Sequence, residues 1–400
     1  MLPPRQAIVA FFARVTPAPP QLERVAFGDA LGRVLAQPLA ADDDYPNARR
    51  SLMDGFAVRA QAAHGEFLLT GEVQMGRAPS GSINERDAWR IPTGGVLPDG
   101  ADAVVPIEEA RVAGGTVTVA APVSPGANVA ERGADMHRGE IVLAAGRRVR
   151  APEMGVLATL GAMTVAVYRR PVVAVFSSGD ELVEPSQPLR PGEIRDSNRY
   201  AVAASLRAMG VVPRHYPTLR DEAGDFEGAI ASALRECDGV VVTGGSSVGE
   251  RDRLPRAVCA IADPGIVVHG LRVKPGKPTL LGADGGKPII GLPGNPTSAV
   301  MMLEGVAAPI IAALVGARVT ASGVAARLAR PLRSRKDWTW YVPVRLEEDG
   351  VTPLAHPLDL RSFSVSLTAR ADGYVVTGEE KDQLPAGEIV TVTRFLECVP

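Results

Sequence analysis

The sequence predicts an α/β protein built on a parallel sheet, with β-rich parts flanking it, and three observations carry that expectation. Between Pro171 and about Gly316, short β-branched runs alternate with amphipathic stretches, the pattern of a parallel sheet covered by helices on both faces. From about Asp42 to Gly139, and again after Gly316, alternating runs are split by Gly and Pro clusters, the mark of small sheet units. The chain has 400 residues, more than one ordinary domain of about 100–200 residues accommodates, so several units are expected.

In chain order, Ile8, Phe11, Phe12 and Val15 fall at helical spacing, and Arg14 interrupts any signal-peptide core. The runs Glu66 to Val73, Ala101 to Ile107 and Thr116 to Val119 supply the first β-rich part. Val172 to Phe176 reads as a strand. Asp196-Ser197-Asn198 then opens a helix with Val202, Leu206 and Met209 on one face and Gly210 as its stop. Val211 to Tyr216 is the next strand, and a helix carrying Phe226, Ile230 and Leu234 leads to the run Val240-Val241-Val242. A glycine turn, a helix from about Arg251 to Ile261 and a strand from Ile266 to Val273 follow. The most apolar stretch, Ala299 to Ala317, contains Glu304 and Pro309 and reads as a buried helix rather than a membrane span. Trp338 to Leu346, Tyr374 to Thr377 and Ile389 to Phe395, with Leu384-Pro385-Ala386-Gly387 as a turn, suggest a compact terminal β domain.

Composition narrows the function. Hydrophobic residues make up 46% and charged ones 22%, so the chain should fold and bury cores. Lys and Arg number 43 against 45 Asp and Glu, and the net charge of −2 creates no field to draw in phosphate backbones or anionic lipid. Neither nucleic acid nor a membrane is expected as a partner. Cys237, Cys259 and Cys398 are too few and too scattered for a disulfide framework or a zinc cage, and a reducing cytoplasm fits best.

The candidate chemistry gathers at predicted strand ends. Val240 to Thr243 runs into Gly244-Gly245-Ser246-Ser247-Val248-Gly249 and then Asp252; a strand ending in glycines can turn backbone N–H groups towards a phosphate, helped by the positive end of the next helix. The same residues match the Gly-x-Ser-x-Gly elbow of α/β-hydrolases, with Ser247 as nucleophile and Asp263 with His269 or His356 in the required order. That alternative has no His-Gly-Gly-type oxyanion segment before the elbow. Five lysines occur in the chain, none before residue 274, and two of them stand in Lys274-Pro275-Gly276-Lys277-Pro278. Stiffened by proline, this loop offers compact ammonium charges to an oxyanion. Carboxylates at successive strand ends, Glu181 beside Asp180, then Asp221 and Asp252, each suit a helix cap but together suit Mg²⁺ held against a phosphorylated ligand. In Gly291-Leu292-Pro293-Gly294-Asn295-Pro296-Thr297-Ser298, Asn295 suits a helix cap and Pro296 the first helical turn. Asp42-Asp43-Asp44 reads as a solvated linker, and His64, His137 and His215 form no metal pattern.

Ser51-Leu52-Met53-Asp54-Gly55-Phe56-Ala57-Val58, Pro92-Thr93-Gly94-Gly95, Arg132-Gly133-Ala134-Asp135, Ser178-Gly179-Asp180-Glu181-Leu182 and Asp196-Ser197-Asn198 occur in this order. They are followed by Gly244 to Gly249 with Asp252, Lys274 to Pro278, and Leu292-Pro293-Gly294-Asn295-Pro296. Over essentially its whole length the chain resembles the molybdopterin molybdenumtransferase family, related to the E domain of gephyrin.

The resemblance implies insertion of molybdate into adenylylated molybdopterin with Mg²⁺ assistance and release of AMP. It also implies a homodimer whose active site lies between the molybdopterin-binding α/β domain of one subunit and the β-rich second domain of the other, with molybdopterin adenylyltransferase supplying the substrate. By motif match the site residues are Asp54, Thr93, Asp135, Glu181, Asp221, Asp252, Lys274 and Lys277, with Glu181, Asp221 and Asp252 placed at the metal. Gly244, Gly245, Ser246, Ser247, Gly249, Pro275, Gly276, Pro293, Gly294, Asn295 and Ser298 are assigned to ligand binding. The implied organisation is an elongated multi-domain chain. Residues 1–20 and 171–318 form the α/β domain, 21–41 and 139–170 an elongated linker domain, 42–138 a β-rich domain and 319–400 a C-terminal β domain. A molybdopterin adenylyltransferase is the alternative within the same chemistry, and the flanking segments Ser51 to Val58 and Pro92 to Gly95 argue against it; a non-catalytic scaffold is a further one. The chain departs from the family pattern at Arg49-Arg50, Ala134, Ser246 and Asp359-Leu360-Arg361-Ser362-Phe363.

Overall fold

The computed structural model describes residues 1–60, 65–220, 225–245, 253–317, 323–359, 364–378, 381 and 383–396. The chain divides into two compact units, one of Met1–Ala36, Gly146–Gly155 and Ala162–Pro400, the other of Gln37–Ala145 and Val156–Gly161.

The larger unit opens with helix α1 (Pro4–Arg14) and then builds a six-stranded sheet from β1 (Val172–Ser177), β2 (Val212–His215), β3 (Gly239–Thr243), β4 (Pro264–His269), β5 (Leu280–Asp284) and β6 (Lys287–Leu292). The spatial order is β2-β1-β3-β6-β5-β4. Strands β2, β1, β3 and β6 run parallel, but β5 is antiparallel to both its neighbours, so the expected parallel sheet is a mixed one. Gly285 and Gly286, both at positive φ (50° and 85°), turn β5 into β6 as a two-residue hairpin, which reverses the strand direction without a crossover helix. Pro213 is tolerated in β2 because an edge strand has a row of N–H groups that pair with nothing.

Successive side chains of β1 point to opposite faces, and each face has its own core. Val173 and Val175 join Val241, Ile290, Phe11, Leu206 and Ile310 on one side. Ala174 and Phe176 join Val240, Val242, Phe226, Ile230 and Leu254 on the other. Helices α1, α2 (Asn198–Ala208), α5 (Pro296–Met302) and α6 (Ala308–Val315) cover the first face, and α3 (Phe226–Glu236) and α4 (Arg253–Ile261) the second. The predicted single helix from Ala299 to Ala317 is α5 and α6 joined by a π-helical turn, Leu303–Ala307. By length and composition Pro296–Val315 is apolar enough to cross a membrane, yet 67% of it is buried inside the protein, as a core helix requires.

The predicted strand from Ile266 to Val273 is two elements. It ends at His269, and Val273–Lys274 pairs in parallel with Thr339–Trp340 in a second sheet. That sheet continues through Thr339–Glu347, Leu354–Pro357, Gly323–Leu328, Ile389–Arg394 and Gly373–Thr377, the last of which pairs back on Thr339–Glu347. Closure removes the sheet edges around a core of Leu328, Val344, Val375 and Val392.

The smaller unit carries a six-stranded sheet in the order Ala103–Pro106, Gly55–Val58, Asp87–Ile91, Gly65–Glu72, Thr116–Val119, Ala110–Ala113. Phe56, Phe67, Val105 and Val117 fill its core. Gly55 is required where strands meet closely, since a Cβ there would lie 1.9 Å from the Val105 carbonyl oxygen.

Candidate active site

At the carboxyl edge of the mixed sheet three strand ends are laced together. Ser178 N–H donates to Thr243 O at 2.8 Å, and Gly244 N–H donates to Leu292 O at 3.0 Å. Gly244 and Gly245 hold φ values of 84° and 60°, which side chains rarely adopt. A Cβ at Gly244 would also lie 2.5 Å from Ser178 O, and one at Gly245 would lie 2.9 Å from Ser178 Oγ. The glycines therefore have a packing cause, and the Gly244 amide is committed to the sheet rather than to a ligand. Ser246, Ser247, Gly249 and Asp252, with Asp221, lie outside the described residues.

The turn after β6 stands against this glycine pair: a Cβ on Gly294 would sit 3.7 Å from the Gly244 Cα. Pro293 is buried and Gly294 exposed. Asn295 caps α5, its Oδ1 accepting from Ser298 N–H and from Ser298 Oγ, each at 3.1 Å, and Pro296 occupies the first turn, as the residue types suggested. Asn198, at the start of α2, donates from Nδ2 to Gly294 O at 2.8 Å, so the first turns of α2 and α5 lie side by side at this edge. Glu181 is exposed, and its carboxylate folds back over Gly179, to within 2.5 Å of where a Cβ there would stand. Arg220 holds that loop by donating to Asp180 O at 2.8 Å. Asn198 and Arg220 escaped assignment from sequence. Asn198 belongs to the Asp196-Ser197-Asn198 segment and Arg220 stands next to Asp221, which is the signal that would have pointed to them.

The lysine loop lies along the same side of the unit. Gly270 N–H donates to Thr279 O at 2.9 Å and Leu271 N–H to Lys277 O at 2.8 Å, closing the loop at its base. Gly276, buried with φ 108°, packs on Met302 of α5, whose side chain would stand 2.3 Å from any Cβ added there. The loop is thus seated on the helix that begins at Asn295. Thr297 Oγ1 donates to Ser364 O at 2.8 Å, which ties the same helix to the C-terminal part of the chain. Lys274 and Lys277 are both exposed. The Lys274 ammonium sits 4.2 Å from the centre of the Trp340 ring, and Lys274 and Trp340 line a cavity of about 240 Å³ together with Arg330, Arg333, Leu332, Pro357 and Asp359. Arg330 donates to Asp359 Oδ1 at 2.7 Å, so Asp359 partly balances the three cations.

In the smaller unit, Asp54 Oδ1 accepts the Thr93 backbone N–H at 2.7 Å, which joins two segments that lie far apart in sequence. Arg50 donates to Gly94 O at 2.8 Å and Arg49 to Ala101 O at 3.0 Å, so these two arginines brace backbone carbonyls. Asp135 is placed on a different turn, where its N–H donates to Tyr45 O at 2.9 Å. All three of Asp54, Thr93 and Asp135 are exposed.

Asp263 and His269, the partners that the hydrolase alternative would use with Ser247, are not brought together. Asp263 precedes β4 and His269 ends it, which puts them at opposite ends of a strand. His356 lies on Leu354–Pro357, with Nε2 2.9 Å from a Glu347 carboxylate oxygen. Among the described residues, no three His, Cys, Asp or Glu side chains converge as a metal cage.

A mixed α/β layer with glycine turns at its carboxyl edge, in a chain that also carries β-rich parts, defines a multi-domain α/β protein of the kind that binds ligands at its strand ends. Three family descriptions match in succession: MoeA N-terminal region (domain I and II) over residues 2–161, probable molybdopterin binding domain over 174–313, and MoeA C-terminal region (domain IV) over 325–395. The molybdopterin molybdenumtransferase of Haemophilus influenzae is 30% identical over 390 residues, covering 95% of each chain. That of Bacillus subtilis is 32% identical over 391 residues, covering 94% of this chain and 90% of its own. A crystal structure of the molybdopterin biosynthesis MoeA protein from Pyrococcus horikoshii superposes with a TM-score of 0.80 at 30% identity, covering 99% of each chain. The chain belongs to the molybdopterin molybdenumtransferase family and is an enzyme of molybdenum cofactor biosynthesis.

Proposed function

We propose that this enzyme inserts molybdate into adenylylated molybdopterin, with Mg²⁺ assistance, and releases AMP. The observation that carries the reading is the placing of Lys274 on a cavity it shares with Arg330 and Arg333, on a loop seated against the helix that starts at the glycine-edged crevice. Molybdate is a compact dianion, and ammonium and guanidinium donors around a small cavity suit it by charge and by hydrogen bonding. The crevice at the strand ends is where ligands of open α/β sheets bind. There the first turns of α2 and α5 lie side by side, and the positive ends of the two helices favour a pyrophosphate.

Mg²⁺ takes hard oxygen ligands, commonly one or two carboxylates together with substrate phosphates and water. The Glu181 carboxylate, exposed beside Gly179, fits that requirement, and Asp221 and Asp252 are its proposed companions. Mg²⁺ held there would supply charge neutralisation for the phosphates. Lys274 and Lys277 hold the oxyanion. Asp54 and Thr93, exposed and joined by a hydrogen bond, complete the pocket of a second copy in a homodimer, and the exposed Leu52 and Met53 beside them offer apolar surface for such an approach. The setting proposed is the cytoplasm, with molybdopterin adenylyltransferase as substrate donor.

The test is cofactor formation from adenylylated molybdopterin, molybdate and Mg²⁺. Lys274→Ala and Asp252→Ala should each lower turnover by about 100-fold or more, the range for loss of a group that stabilises developing charge. Turnover at the wild-type rate in both variants would overturn the assignment.

A further inference from the structure

The choice of residue beneath Lys274 is informative. Trp340 follows Thr339 at the start of the long strand Thr339–Glu347, and the parallel register puts it directly opposite Lys274. Its backbone N–H donates to Thr377 Oγ1 at 3.2 Å, which fixes the strand. Its indole Nε1, by contrast, is buried and makes no hydrogen bond. Burying an indole N–H without an acceptor is unfavourable, and a phenylalanine would fill much of the same space without that cost. Something specific to the indole must offset it. The tryptophan ring presents the most electron-rich face of the aromatic side chains, and the Lys274 ammonium lies over that face, 4.2 Å from its centre.

We propose that Trp340 is a positioning residue for the oxyanion site: it acts through Lys274, holding the exposed ammonium at the mouth of the cavity that Arg330 and Arg333 border. A lysine has a flexible four-carbon stem, and without a platform its charge spreads over many rotamers. With the indole beneath it, the ammonium stays on the cavity side before the anion arrives, so less order is lost on binding. This rests on the reading of Lys274 as an oxyanion ligand, and it predicts that function and stability respond in opposite senses to a change at Trp340.

The experiment measures molybdate binding to the full chain by equilibrium dialysis, alongside thermal unfolding, for wild type, Lys274→Ala, Trp340→Phe, Trp340→Leu and the Lys274→Ala/Trp340→Leu double variant. Wild type should bind saturably and Lys274→Ala should lose most of that affinity. Trp340→Leu should weaken binding about threefold to fivefold, the value of an exposed cation–π contact, and Trp340→Phe about twofold. Trp340→Phe, freed of the unpaired N–H, should unfold at the wild-type temperature or above it. In the Lys274→Ala background, Trp340→Leu should change binding no further. If Trp340→Leu binds molybdate as wild type does while Lys274→Ala does not, the role of Trp340 is refuted and that of Lys274 stands. Loss of stability and affinity together in Trp340→Phe would show a merely structural tryptophan and also refute it. Wild-type affinity in Lys274→Ala would overturn both readings.

Discussion

Asn198 Nδ2 donates to the Gly294 carbonyl at 2.8 Å, joining the first residue of α2 to the turn that precedes α5. Oδ1 of the same amide is buried without a partner, and turning the amide over would set oxygen against oxygen, so the bond has one workable orientation. Gly294 packs on Gly244, whose N–H is bonded to Leu292 O, so the amide ties the start of α2 to a pair of strand ends already joined to each other.

Asn198→Ala should therefore act on substrate binding more than on the chemical step. Loss of one hydrogen bond of about 1 kcal/mol corresponds to a KM for adenylylated molybdopterin raised roughly fivefold, with kcat within about twofold of wild type. Asn198→Asp, which sets a carboxylate oxygen against the carbonyl, should raise KM further. Steady-state kinetics separates the outcomes, and an equal fall in kcat for both variants would contradict a positioning role.

Gly244→Ala tests whether the glycine turn is built for packing. The substitution meets both a positive φ of 84° and a contact of 2.5 Å with Ser178 O. The left-handed conformation alone costs a non-glycine residue about 1–2 kcal/mol, and the overlap with a backbone atom adds to that, since neither strand end can retreat without breaking its bonds to its neighbour. Urea unfolding should show a loss of about 3 kcal/mol or more. A loss below about 1 kcal/mol would mean the edge relaxes freely.

How much of this was legible in the sequence depends on the range of the contact concerned. Val240-Val241-Val242 announced a doubly buried strand because every side chain is apolar whichever face it meets. Asn295 and Pro296 announced a helix start because capping is local chemistry. The reversed strand β5 does not show in an alternation of strands and helices, because the Gly285-Gly286 turn replaces a crossover helix with two residues. Lys274 follows the strand expected over Ile266 to Val273, yet it pairs with Trp340 across the chain. A two-residue pairing between such distant segments has no periodicity to detect. The Asp54–Thr93 bond is of the same kind: matching segments pointed to both residues, but only the fold shows that one accepts from the other.

Glu153 predicts an acid-sensitive joint. Its side chain is only 2% exposed and receives Arg147 Nη2 at 2.6 Å and Arg150 Nη2 at 2.7 Å, along with the Arg150 backbone N–H at 2.9 Å. Arg150 above all, against the opposing effect of burial, holds the Glu153 carboxyl at about 2, below its ordinary 4.5. A carboxylate with a depressed folded pKa contributes stability that is full above the ordinary value and lost as pH falls towards 2. Both arginines are about half exposed, so screening keeps the contribution modest. Glu153→Gln should cost about 1–2 kcal/mol near neutral pH, and that difference should shrink between pH 4.5 and 2 in chemical denaturation. A difference independent of pH would contradict the assignment.

Glu304 carries the opposite sign. It lies in the π-helical turn between α5 and α6, where one carboxylate oxygen accepts Ser205 Oγ of α2 at 2.7 Å and the other accepts Leu396 N–H at 3.0 Å. Burial pushes its pKa above the ordinary 4.5, against the opposing pull of those two donors. The folded state then holds its proton more tightly than the unfolded chain does, so stability is greatest below the ordinary value and falls as pH rises through the raised one. Glu304→Gln keeps the shape, keeps an oxygen for Leu396 N–H and offers an amide to Ser205 Oγ, but has no proton to lose. Near neutral pH this variant should be at least as stable as wild type, and it should lack the decline that wild type shows on going from acid to neutral pH. Glu304→Ala leaves the Leu396 amide and the Ser205 hydroxyl without their acceptor and should be less stable by about 1–3 kcal/mol at every pH. Thermal unfolding of the three proteins from pH 4 to 8 decides the matter: parallel curves for wild type and Glu304→Gln would show that the carboxyl titrates as it does in water, and the joint between α2, the π turn and the end of the chain would owe nothing to a buried charge.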